Sequence, residues 1–506
     1  MSMKNKFLLI ALLFLFNIVN AQDGQLDVSF NSTGKVITNF GQYYASLSAV
    51  QTLTNGQIIV AGSLAANSSF TSYDFFVARY NSNGSIDPSF GTNGFTTIDF
   101  SSNYDAANAL AIQNDGKILV AGKSTSNVYY DVAIARLNAN GQLDNNFNGT
   151  GKVLVDVQGE SDEARTITLQ NDGKIIIAGL SSTATAGNAL ALRLNTDGTL
   201  DNSFGTNGHV LFTFTGAAYF TSCLVMSDGN IALAGSTIVL GNSRMAMAKI
   251  NSNGSTANSF GTNGQAEFLE TAGQSSCAAL RYNPFDQNFY LAGMCAANAF
   301  MLSVKNDGSI NTSFATNGRA NFDLGGSEIF NSFCIDQNGD FLLCGNNYIN
   351  SSYESFVAKL KANGTADIAW GSSGATSINW STANDYGTAM TLQTDGKLLM
   401  VGSNDNGLFS HIARFNNSTT AVNGTKEIAI QESVIKSYPN PACSEAYFDI
   451  TKTDSVRIEL FNLTGVKLLE TNKTFLDVTC IPNGEYLILI HSKGSEIKTS
   501  RIIVTH

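Results

Sequence analysis

The stretch Ser89-Phe90-Gly91-Thr92-Asn93-Gly94 decides how this chain folds, because it recurs along most of the sequence. Identical copies stand at 203–208 and 259–264. Looser copies at 29–34, 146–151, 313–318 and 369–374 bring the set of aromatic anchors to Phe30, Phe90, Phe147, Phe204, Phe260, Phe314 and Trp370. Successive anchors are 54 to 60 residues apart, and seven copies in one register indicate a repeat protein.

A second motif, Asp115-Gly116-Lys117, indicates how each repeat folds. It recurs at 172–174 and 395–397 and, in altered form, at 55–57, 228–230 and 338–340, while the fifth copy has lost its glycine near Asp286. An Asp-Gly turn between apolar segments predicts a β-hairpin. The four strands expected in the best copy are Phe95–Phe100, Ala109–Gln113, Ile118–Gly122 and Val132–Leu137. Seven such units favour an all-β, seven-bladed β-propeller over a barrel, a sandwich or a parallel β-helix.

The first repeat begins with a strand that has no counterpart after the last repeat. Lys35–Phe40 precedes the first complete hairpin, and nothing similar follows the final strand at Ile412–Phe415. If this strand type is outermost, the N-terminal strand completes the last blade and leaves no bare sheet edge. The prediction is that Ile37 and Ile412 lie in the same blade.

Three segments of the third copy carry a family pattern: Leu169-Gln170-Asn171-Asp172-Gly173-Lys174-Ile175, Ala191-Leu192-Arg193-Leu194-Asn195 and Leu200-Asp201-Asn202-Ser203-Phe204-Gly205. They resemble the delta-60 repeat family. The resemblance covers residues 24–416, is specific in the first four copies and is weakest in copies five and six. It implies the propeller fold and no particular activity.

A repeated pair of charges has two interpretations. The basic residues are Arg79, Arg136, Arg193, Lys249, Lys359 and Arg414, and eight residues after the first five come Asp87, Asp144, Asp201, Ala257 and Asp367. They could form a ring of ligands for a metal or an anion, or an ion pair joining each strand end to the following turn. Copy five replaces both charges, with Ser303 and Asn311, which favours the ion pair. No Asp-rich calcium loop is present, so we expect no metal site and no cofactor.

The binding surface is expected on one face of the propeller. The two repeated turns lie on one face of the ring, and the connections on the opposite face vary in length and content. Variable loops on a rigid scaffold commonly carry ligand sites, and tyrosines suit sugars or proteins because they combine apolar area with a polar tip. The candidate binding residues are Tyr43, Tyr44, Tyr73, Tyr104, Tyr129, Tyr130, Tyr219, Tyr353 and Tyr386. The alternative is that half of these tyrosines only cap the core.

No catalytic set is recognisable, and we predict no catalytic residues. The four histidines, His209, His411, His491 and His506, have no metal-ligand spacing, and the sequence has no nucleophile elbow, phosphate loop or dinucleotide fingerprint. The richest acidic loop contains Glu160, Asp162 and Glu163, which is expected to be a solvated like-charged loop rather than a glycosidase pair.

Composition narrows the range of partners. A net charge of −11 argues against binding to nucleic acid or to anionic lipid, because phosphate recognition needs a basic surface. The seven cysteines allow disulfides in a secreted protein, with Cys334–Cys344, Cys277–Cys295 and Cys443–Cys480 as candidate pairs. Cys223 would then remain as a buried apolar residue.

The N-terminus has the form of a signal peptide. Lys4 and Lys6 precede the apolar run Phe7–Phe16, and Val19-Asn20-Ala21 offers a small-residue cleavage site, so we expect cleavage after Ala21. A membrane anchor needs about 20 apolar residues, and this run is too short for one. We therefore expect a secreted protein with no transmembrane segment.

A different pattern begins after the repeats. Residues 22–416 are predicted to form the propeller, 417–432 a polar linker, and 433–506 a small immunoglobulin-like β-sandwich of about seven strands. The segments Tyr438-Pro439-Asn440-Pro441, Val456–Gly465, Ile481–Tyr486 and Lys498–Val504 stand in an order similar to that of a known family.

That family is the type A C-terminal sorting domain of the type IX secretion system of Bacteroidetes. The resemblance implies export across the inner membrane by the signal peptide and then across the outer membrane by the secretion machinery. It also implies release from the cell or attachment to surface lipopolysaccharide. The residues that carry the sorting motif are Tyr438, Pro439, Asn440, Pro441, Gly465, Gly484 and Tyr486.

Three hypotheses for function follow. The first is a secreted or cell-surface propeller that binds a glycan or a protein through its variable face without catalysis. The second is a secreted polysaccharide hydrolase or lyase that acts from the same face or from the central channel. The third is a structural component of surface adhesion.

Overall fold

The third strand of each repeat is an apolar run, as expected for a strand that is covered on both faces. Ile58, Ile59, Val60 and Ala61 are all fully buried. A computed structural model describes residues 22–40, 44–65, 72–100, 104–126, 128–183, 186–380, 384–404 and 410–418. In the C-terminal part it describes residues 437–438, 445–448, 456–462, 467–471, 473, 475–479, 481, 484–492 and 498–504. The chain divides into two compact units, residues 1–419 and 420–506.

The described part of the first unit consists of strands and turns. In chain order, strands β1 to β28 span Lys35–Thr38, Ala45–Thr52, Ile58–Ala65, Tyr73–Tyr80, Phe95–Ile98, Asp105–Ile112, Ile118–Ser126, Tyr129–Leu137, Lys152–Val155, Asp162–Leu169, Ile175–Thr183, Ala186–Leu194, His209–Phe212, Ala217–Val225, Ile231–Val239, Asn242–Ile250, Gln265–Phe268, Ser275–Asn283, Asn288–Cys295, Asn298–Val304, Arg319–Phe322, Ser327–Ile335, Phe341–Ile349, Ser352–Leu360, Ala375–Ile378, Asp385–Leu392, Leu398–Asn404 and Ser410–Phe415.

These strands form seven antiparallel four-stranded sheets, which are the predicted blades. Blades 1 to 6 are β2–β5, β6–β9, β10–β13, β14–β17, β18–β21 and β22–β25. Blade 7 has the order β26, β27, β28, β1, so the N-terminal strand is its outermost member. Within it Ile37 pairs with His411 and Val36 pairs with Ile412, which confirms the predicted closure of the ring. The strand at Phe95–Ile98 is likewise outermost and completes blade 1 rather than opening blade 2.

The apolar core of the propeller lies between blades. Seven clusters of buried residues each draw on two neighbouring blades, and one of them joins Val401 and Ile412 of blade 7 to Phe76 of blade 1. Burial of each large aliphatic or aromatic side chain contributes about 1.5–3 kcal/mol. Because each cluster needs both of its blades, the closed ring is the stable unit.

Every innermost strand carries a β-bulge at the same place, which the sequence analysis missed. Opposite the bulge in blade 2 stands Gly122, where a Cβ atom would lie 1.9 Å from the carbonyl oxygen of Ala106. Bulge residues bond to the next innermost strand: the Ser48 hydroxyl donates to the Ala107 carbonyl at 2.5 Å, and the Thr388 hydroxyl donates to the Leu47 carbonyl at 2.7 Å. These bonds join neighbouring blades around the centre of the ring.

The repeated charges are inter-blade staples. Arg136 Nε lies 2.8 Å from Asp144 Oδ2, and its guanidinium carbon lies 4.5 Å from the centre of the Phe147 ring. The same guanidinium donates to the Thr196 carbonyl of the next repeat. Equivalent pairs are Arg79–Asp87 and Arg193–Asp201, each at 2.8 Å, and Arg414–Asp27 at 2.7 Å. The ion-pair interpretation is therefore confirmed for these copies, and the aromatic anchor serves as the platform for the arginine.

Two of the predicted charge positions behave differently. Lys359 does not pair with Asp367: its ammonium lies 3.0 Å from Asp336 and 3.3 Å from Asp340, because a lysine reaches the preceding hairpin turn. Lys249, whose repeat has no aspartate, donates instead to the side chain of Asn306 at 2.6 Å.

The predicted disulfides of the propeller are wrong. Cys223, Cys277, Cys295, Cys334 and Cys344 are all free thiols. Cys344 stands opposite Ser332 rather than Cys334, and Cys277 stands opposite Gly293 rather than Cys295. The hairpin turn sets the register of Cys334, because Ile335 pairs with Phe341 and Leu342 then stands opposite Cys334. A shift of two residues separates side chains that the sequence suggested were opposite. The third predicted pair, Cys443 and Cys480, lies outside the described residues.

The second unit contains seven described strands in two sheets. Strands β29 to β35 span Ser437–Tyr438, Glu445–Phe448, Val456–Asn462, Lys467–Thr471, Phe475–Asp477, Gly484–Ser492 and Lys498–Val504. The sheet orders are β29–β30–β33 and β32–β31–β34–β35. Leu476 of the first sheet packs in one cluster with Ile458 and Ile488 of the second, so the two sheets share a core. The immunoglobulin-like topology stays a prediction, as do the predicted boundaries at 416 and 432.

None of the described segments forms a helix with the length and apolar character needed to cross a bilayer. The predicted signal peptide, with Ala21 at its end, lies outside the described residues.

Candidate functional site

The predicted tyrosines lie at the strand ends that meet the variable connections. Tyr73 opens β4, Tyr104 immediately precedes β6, and Tyr353 and Tyr386 are the second residues of β24 and β26. Each of these side chains is partly exposed. They are therefore accessible from the variable face, and none of them is buried in the core.

The tyrosine rings form two series that cross blade boundaries. In the first, Tyr73 lies 6.0 Å from Tyr44 and 5.1 Å from Tyr104 between ring centres, and Tyr104 lies 6.2 Å from Tyr130. In the second, Tyr353 lies 4.8 Å from Tyr348 and 5.3 Å from Tyr386. We call these seven residues the tyrosine rim: Tyr44, Tyr73, Tyr104, Tyr130, Tyr348, Tyr353 and Tyr386.

Packing of the tyrosine rings affects the ionisation of Tyr104. Burial, together with the neighbouring Tyr130 and Tyr73 hydroxyls, raises the pKa of Tyr104. Tyr104 is thus uncharged at neutral pH, and the rim offers ring faces and edges together with hydroxyl groups. Tyr104 remains 37% exposed, which leaves its ring available to a ligand.

Charged side chains continue the surface beyond the first series. The Lys123 ammonium lies 4.6 Å from the centre of the Tyr130 ring and 3.5 Å from Glu163. Glu163 lies 3.3 Å from Arg165, whose guanidinium carbon is 4.3 Å from the centre of the Tyr219 ring. Tyr219 is therefore joined to the surface through a cation rather than through another tyrosine.

The remaining tyrosine predictions have separate outcomes. Tyr129 is 44% exposed at the start of β8 and stands outside both series of ring contacts described here. Tyr43 lies outside the described residues. The sequence analysis missed Tyr348, which is 44% exposed and pairs with Tyr353 across the β23–β24 hairpin. Its position one residue before the end of β23, beside a variable connection, was the available signal.

Sequence reasoning also missed two groups of carboxylates on the same face. Asp74, Asp99 and Asp105 bring one carboxylate oxygen each within 4.8 Å of one another, and Asp131, Asp156 and Asp162 do the same. We call these groups the aspartate triads. Each member of the second triad follows its counterpart by 57 residues, so the repeat spacing was the signal that could have revealed them.

The acidic loop that the sequence analysis singled out is not simply solvated. Asp162 is fully buried in the second aspartate triad, and Glu163 is held by Lys123 and Arg165. Neither carboxylate is therefore one of two free groups that face each other across an open cleft.

His209 and His411 are the histidines of the described part of the propeller. His411 is buried and stacks on Trp380 at 4.5 Å, and burial, with the nearby Lys35, lowers the pKa of His411 to about 4. His209 lies in an outermost strand. The side chain of His491 and all of His506 lie outside the described residues.

An open cleft of about 750 Å³ lies elsewhere on the propeller, between the outer strands of blades 3 and 4. Phe214, Thr262 and Glu267 help to line it, and no tyrosine of the rim does. The Glu267 carboxylate accepts hydrogen bonds from the Thr215 backbone and hydroxyl at 2.8 and 2.6 Å, so it joins blades rather than facing the cleft unpaired.

In the C-terminal unit, the structure describes three residues of the predicted sorting motif. Gly484 opens β34, and Tyr486 is 7% exposed in the core shared by the two sheets. Tyr438 lies in β29, and Pro439, Asn440, Pro441 and Gly465 lie outside the described residues.

Comparison with known families agrees with both halves of this description. The family described as "Domain of unknown function (DUF5122) beta-propeller" matches residues 53–90, 113–147, 170–204 and 227–260. The family described as "Secretion system C-terminal sorting domain" matches residues 436–505. This chain is a β-propeller repeat protein with a type IX sorting domain. Such a domain directs export by type IX secretion, so the protein is secreted or displayed on the cell surface.

Solved structures resemble the chain at low identity. A protein from Lactobacillus plantarum is 12% identical, with 83% of this chain and 99% of that chain covered and a TM-score of 0.42. Sqt1 from Chaetomium thermophilum is 13% identical, with 76% and 100% covered and a TM-score of 0.40. No curated protein matches the sequence. The fold is established by the strand pairing described above.

Proposed function

We propose that this protein is a secreted, non-catalytic binding protein that holds an extracellular carbohydrate on its tyrosine rim. The observation that carries the proposal is the continuity of the rim: partly exposed rings contact one another across the boundary between blades 1 and 2 and again between blades 6 and 7. Sugar rings present apolar C–H faces, which pack on aromatic rings, and hydroxyl groups, which bond to the tyrosine tips.

The surroundings of the rim favour a carbohydrate over an acidic or strongly apolar ligand. The exposed Asp99 and the Glu163 carboxylate adjoin the first series and can accept hydrogen bonds from sugar hydroxyls. The net charge of −11 disfavours a polyanionic partner. A protein partner that docks on the same rings is the nearest alternative.

Export supports an extracellular role. The sorting domain directs the propeller out of the cell, and we propose that the signal peptide ending at Ala21 serves the first step and that lipopolysaccharide attachment or release ends the route. The propeller is then the cargo that meets polymers outside the cell.

A glycan array probed with the secreted protein tests the proposal. The expected result is saturable binding to one structural class of glycan, with no change in that glycan after prolonged incubation. New reducing ends or unsaturated products would instead support the hydrolase or lyase hypothesis. Failure to bind any glycan, with capture of a protein on the same tyrosines, would overturn the carbohydrate assignment.

A further inference from the structure

We propose that the two aspartate triads bind calcium ions, one at the junction of blades 1 and 2 and one at the junction of blades 2 and 3. This inference does not depend on the proposed carbohydrate function. Each triad collects its carboxylates from three places: the start of a third strand in one blade, the residue after the outermost strand, and the start of the next innermost strand.

The arrangement contains buried oxygen atoms that have no partner. Asp105 and Asp162 are fully buried, and the Oδ1 atom of each makes no hydrogen bond with the described residues. Their Oδ2 atoms are used differently, since each accepts a backbone N–H at 2.6 Å, from Phe100 and Val157 respectively. A buried carboxylate oxygen without a donor carries a large desolvation cost, which a bound cation removes.

The negative charges of the three carboxylates also favour a bound cation. Three carboxylates within 4.8 Å repel one another unless a proton or a metal ion lies between them. The nearby Lys152 ammonium donates to the backbone carbonyl of Asp99 at 2.8 Å.

The residues at the equivalent positions in other blades show which aspartate caps the loop and which aspartates are left to bind a metal ion. At the junction of blades 3 and 4 the three positions hold Asn188, Thr213 and Ala218, which carry no carboxylate. At the junction of blades 6 and 7 the positions hold Glu354, Asn379 and Asp385, and Asp385 accepts the Trp380 N–H at 2.9 Å. The capping bond therefore forms without the other two aspartates, which occur together with the cap in both triads.

The donor set selects calcium. All the side-chain ligands are carboxylates, without histidine or cysteine, which excludes the preferred ligands of zinc. Calcium takes 6–8 oxygen ligands in flexible geometry, and water reaching the exposed Asp99 and Asp156 can complete the shell. Magnesium needs a tighter octahedral cage, which loops from two blades do not provide as readily. For an extracellular site we expect a dissociation constant on the order of 10⁻⁴–10⁻³ M.

The experiment uses the secreted full chain after removal of metals with EDTA, and the metal alone as the probe. Terbium luminescence excited through tyrosine should appear on titration, because Tyr73, Tyr104 and Tyr130 each adjoin a triad residue in sequence. Calcium should displace the terbium, calorimetry should count two ions, and saturating calcium should raise the melting temperature by on the order of 2–4 °C.

Variants make the assignment specific. Asp74→Asn and Asp131→Asn should each reduce the count from two ions to one, and Asp99→Asn provides a second, exposed position in the first triad. Asp172→Asn, an exposed aspartate in a hairpin turn on the opposite face, is the matched control and should keep both ions. Absence of saturable binding up to about 10 mM calcium, an unchanged count in the triad variants, or binding of magnesium in preference to calcium would overturn the proposal.

Discussion

At the scale of single residues, Asp74 is held in a state that costs the protein stability without a metal. Its pKa is raised from 3.8 to about 6 by burial and by Asp99 and Asp105. Burial raises the pKa of the neighbouring Asp105, while the charge of Lys152 acts to lower it. A carboxyl group whose pKa is higher in the folded state than in the unfolded state destabilises the fold as pH rises from about 4 to about 6, and the cost persists above that range.

The resulting prediction concerns Asp74→Asn in EDTA. The variant should melt at a higher temperature than the parent at pH 7.5, and the difference should disappear below about pH 3, where the parent carboxyl is protonated in both states. Melting curves at several pH values, with Asp172→Asn as the control, provide the measurement. A lower melting temperature at pH 7.5 would show that the carboxylate is a structural partner instead.

The sequence predicted the face on which the tyrosines lie, but it predicted neither the contacts between the tyrosines nor the grouping of the aspartates. Tyr73, Tyr104 and Tyr353 stand beside predicted connections, so the face that they occupy followed from strand alternation and hairpin order. The contacts between them cross blade boundaries, as do those of Asp74 with Asp105. Such contacts depend on how one blade docks on the next, which no local pattern in the sequence specifies.

At the scale of the element, the arginine staple is the best predicted feature. Its spacing of eight residues identified Arg136 and Asp144 as partners, and only 5% and 2% of these residues are exposed. Burial alone would raise the pKa of Asp144, but hydrogen bonds from Asn146 and Lys117 and the charge of Arg136 lower it overall. The carboxylate is therefore charged at neutral pH and needs its cation.

Arg136→Met should lower the free energy of unfolding by on the order of 3 kcal/mol, because a buried carboxylate loses its main partner. Adding Asp144→Asn should recover part of that loss. The comparison is Lys361→Met, which removes the exposed ammonium 3.9 Å from Asp367 and should cost less than about 1 kcal/mol. Urea unfolding followed by tyrosine fluorescence measures all three, and equal losses in the two single variants would contradict the staple.

The sequence failed where the exact strand register decides which side chains meet. Cys334 and Cys344 were expected to face each other, whereas the turn pairs Ile335 with Phe341 and so places Leu342 opposite Cys334. The bulges do leave a mark in the sequence, but it stands on the neighbouring strand, where the close backbone opposite the bulge requires a glycine. These glycines are Gly62, Gly122, Gly179, Gly235, Gly293, Gly345 and Gly402.

At the scale of the whole molecule, closure of the ring depends on residues that are nearly 400 positions apart. Asp27 lies 2.7 Å from Arg414 and 2.5 Å from Lys397. Burial tends to raise the pKa of Asp27, but Lys397, Ser29 and Arg414 lower it to about 2. A lowered carboxyl pKa stabilises the fold above about pH 4, and this contribution disappears as the pH falls through 2.

Asp27→Asn should therefore destabilise the propeller by about 2 kcal/mol at pH 7, and the difference from the parent should vanish near pH 2. Acid titration of the folded protein, followed by circular dichroism, measures this. A difference that stays constant between pH 7 and pH 2 would show that the carboxylate charge does not hold the ring closed.

Export is a second property of the whole chain. A chain without residues 433–506 should keep a folded propeller and accumulate in the periplasm, because the signal for outer-membrane passage is missing. Cell fractionation against the complete chain at equal expression checks this. Equal amounts of the two proteins outside the cell would contradict the role of the sorting domain.

The central claim is that the tyrosine rim binds the ligand while the uniform turns are scaffold. The direct test is the affinity of the array-selected glycan for two aromatic variants on opposite faces, Tyr104→Ala on the rim and Phe285→Ala, whose ring is 65% exposed in a hairpin turn. We predict at least a tenfold loss for Tyr104→Ala, corresponding to about 1.4 kcal/mol, and no change for Phe285→Ala. Unchanged affinity in the rim variant, or an equal loss in both, would contradict the account.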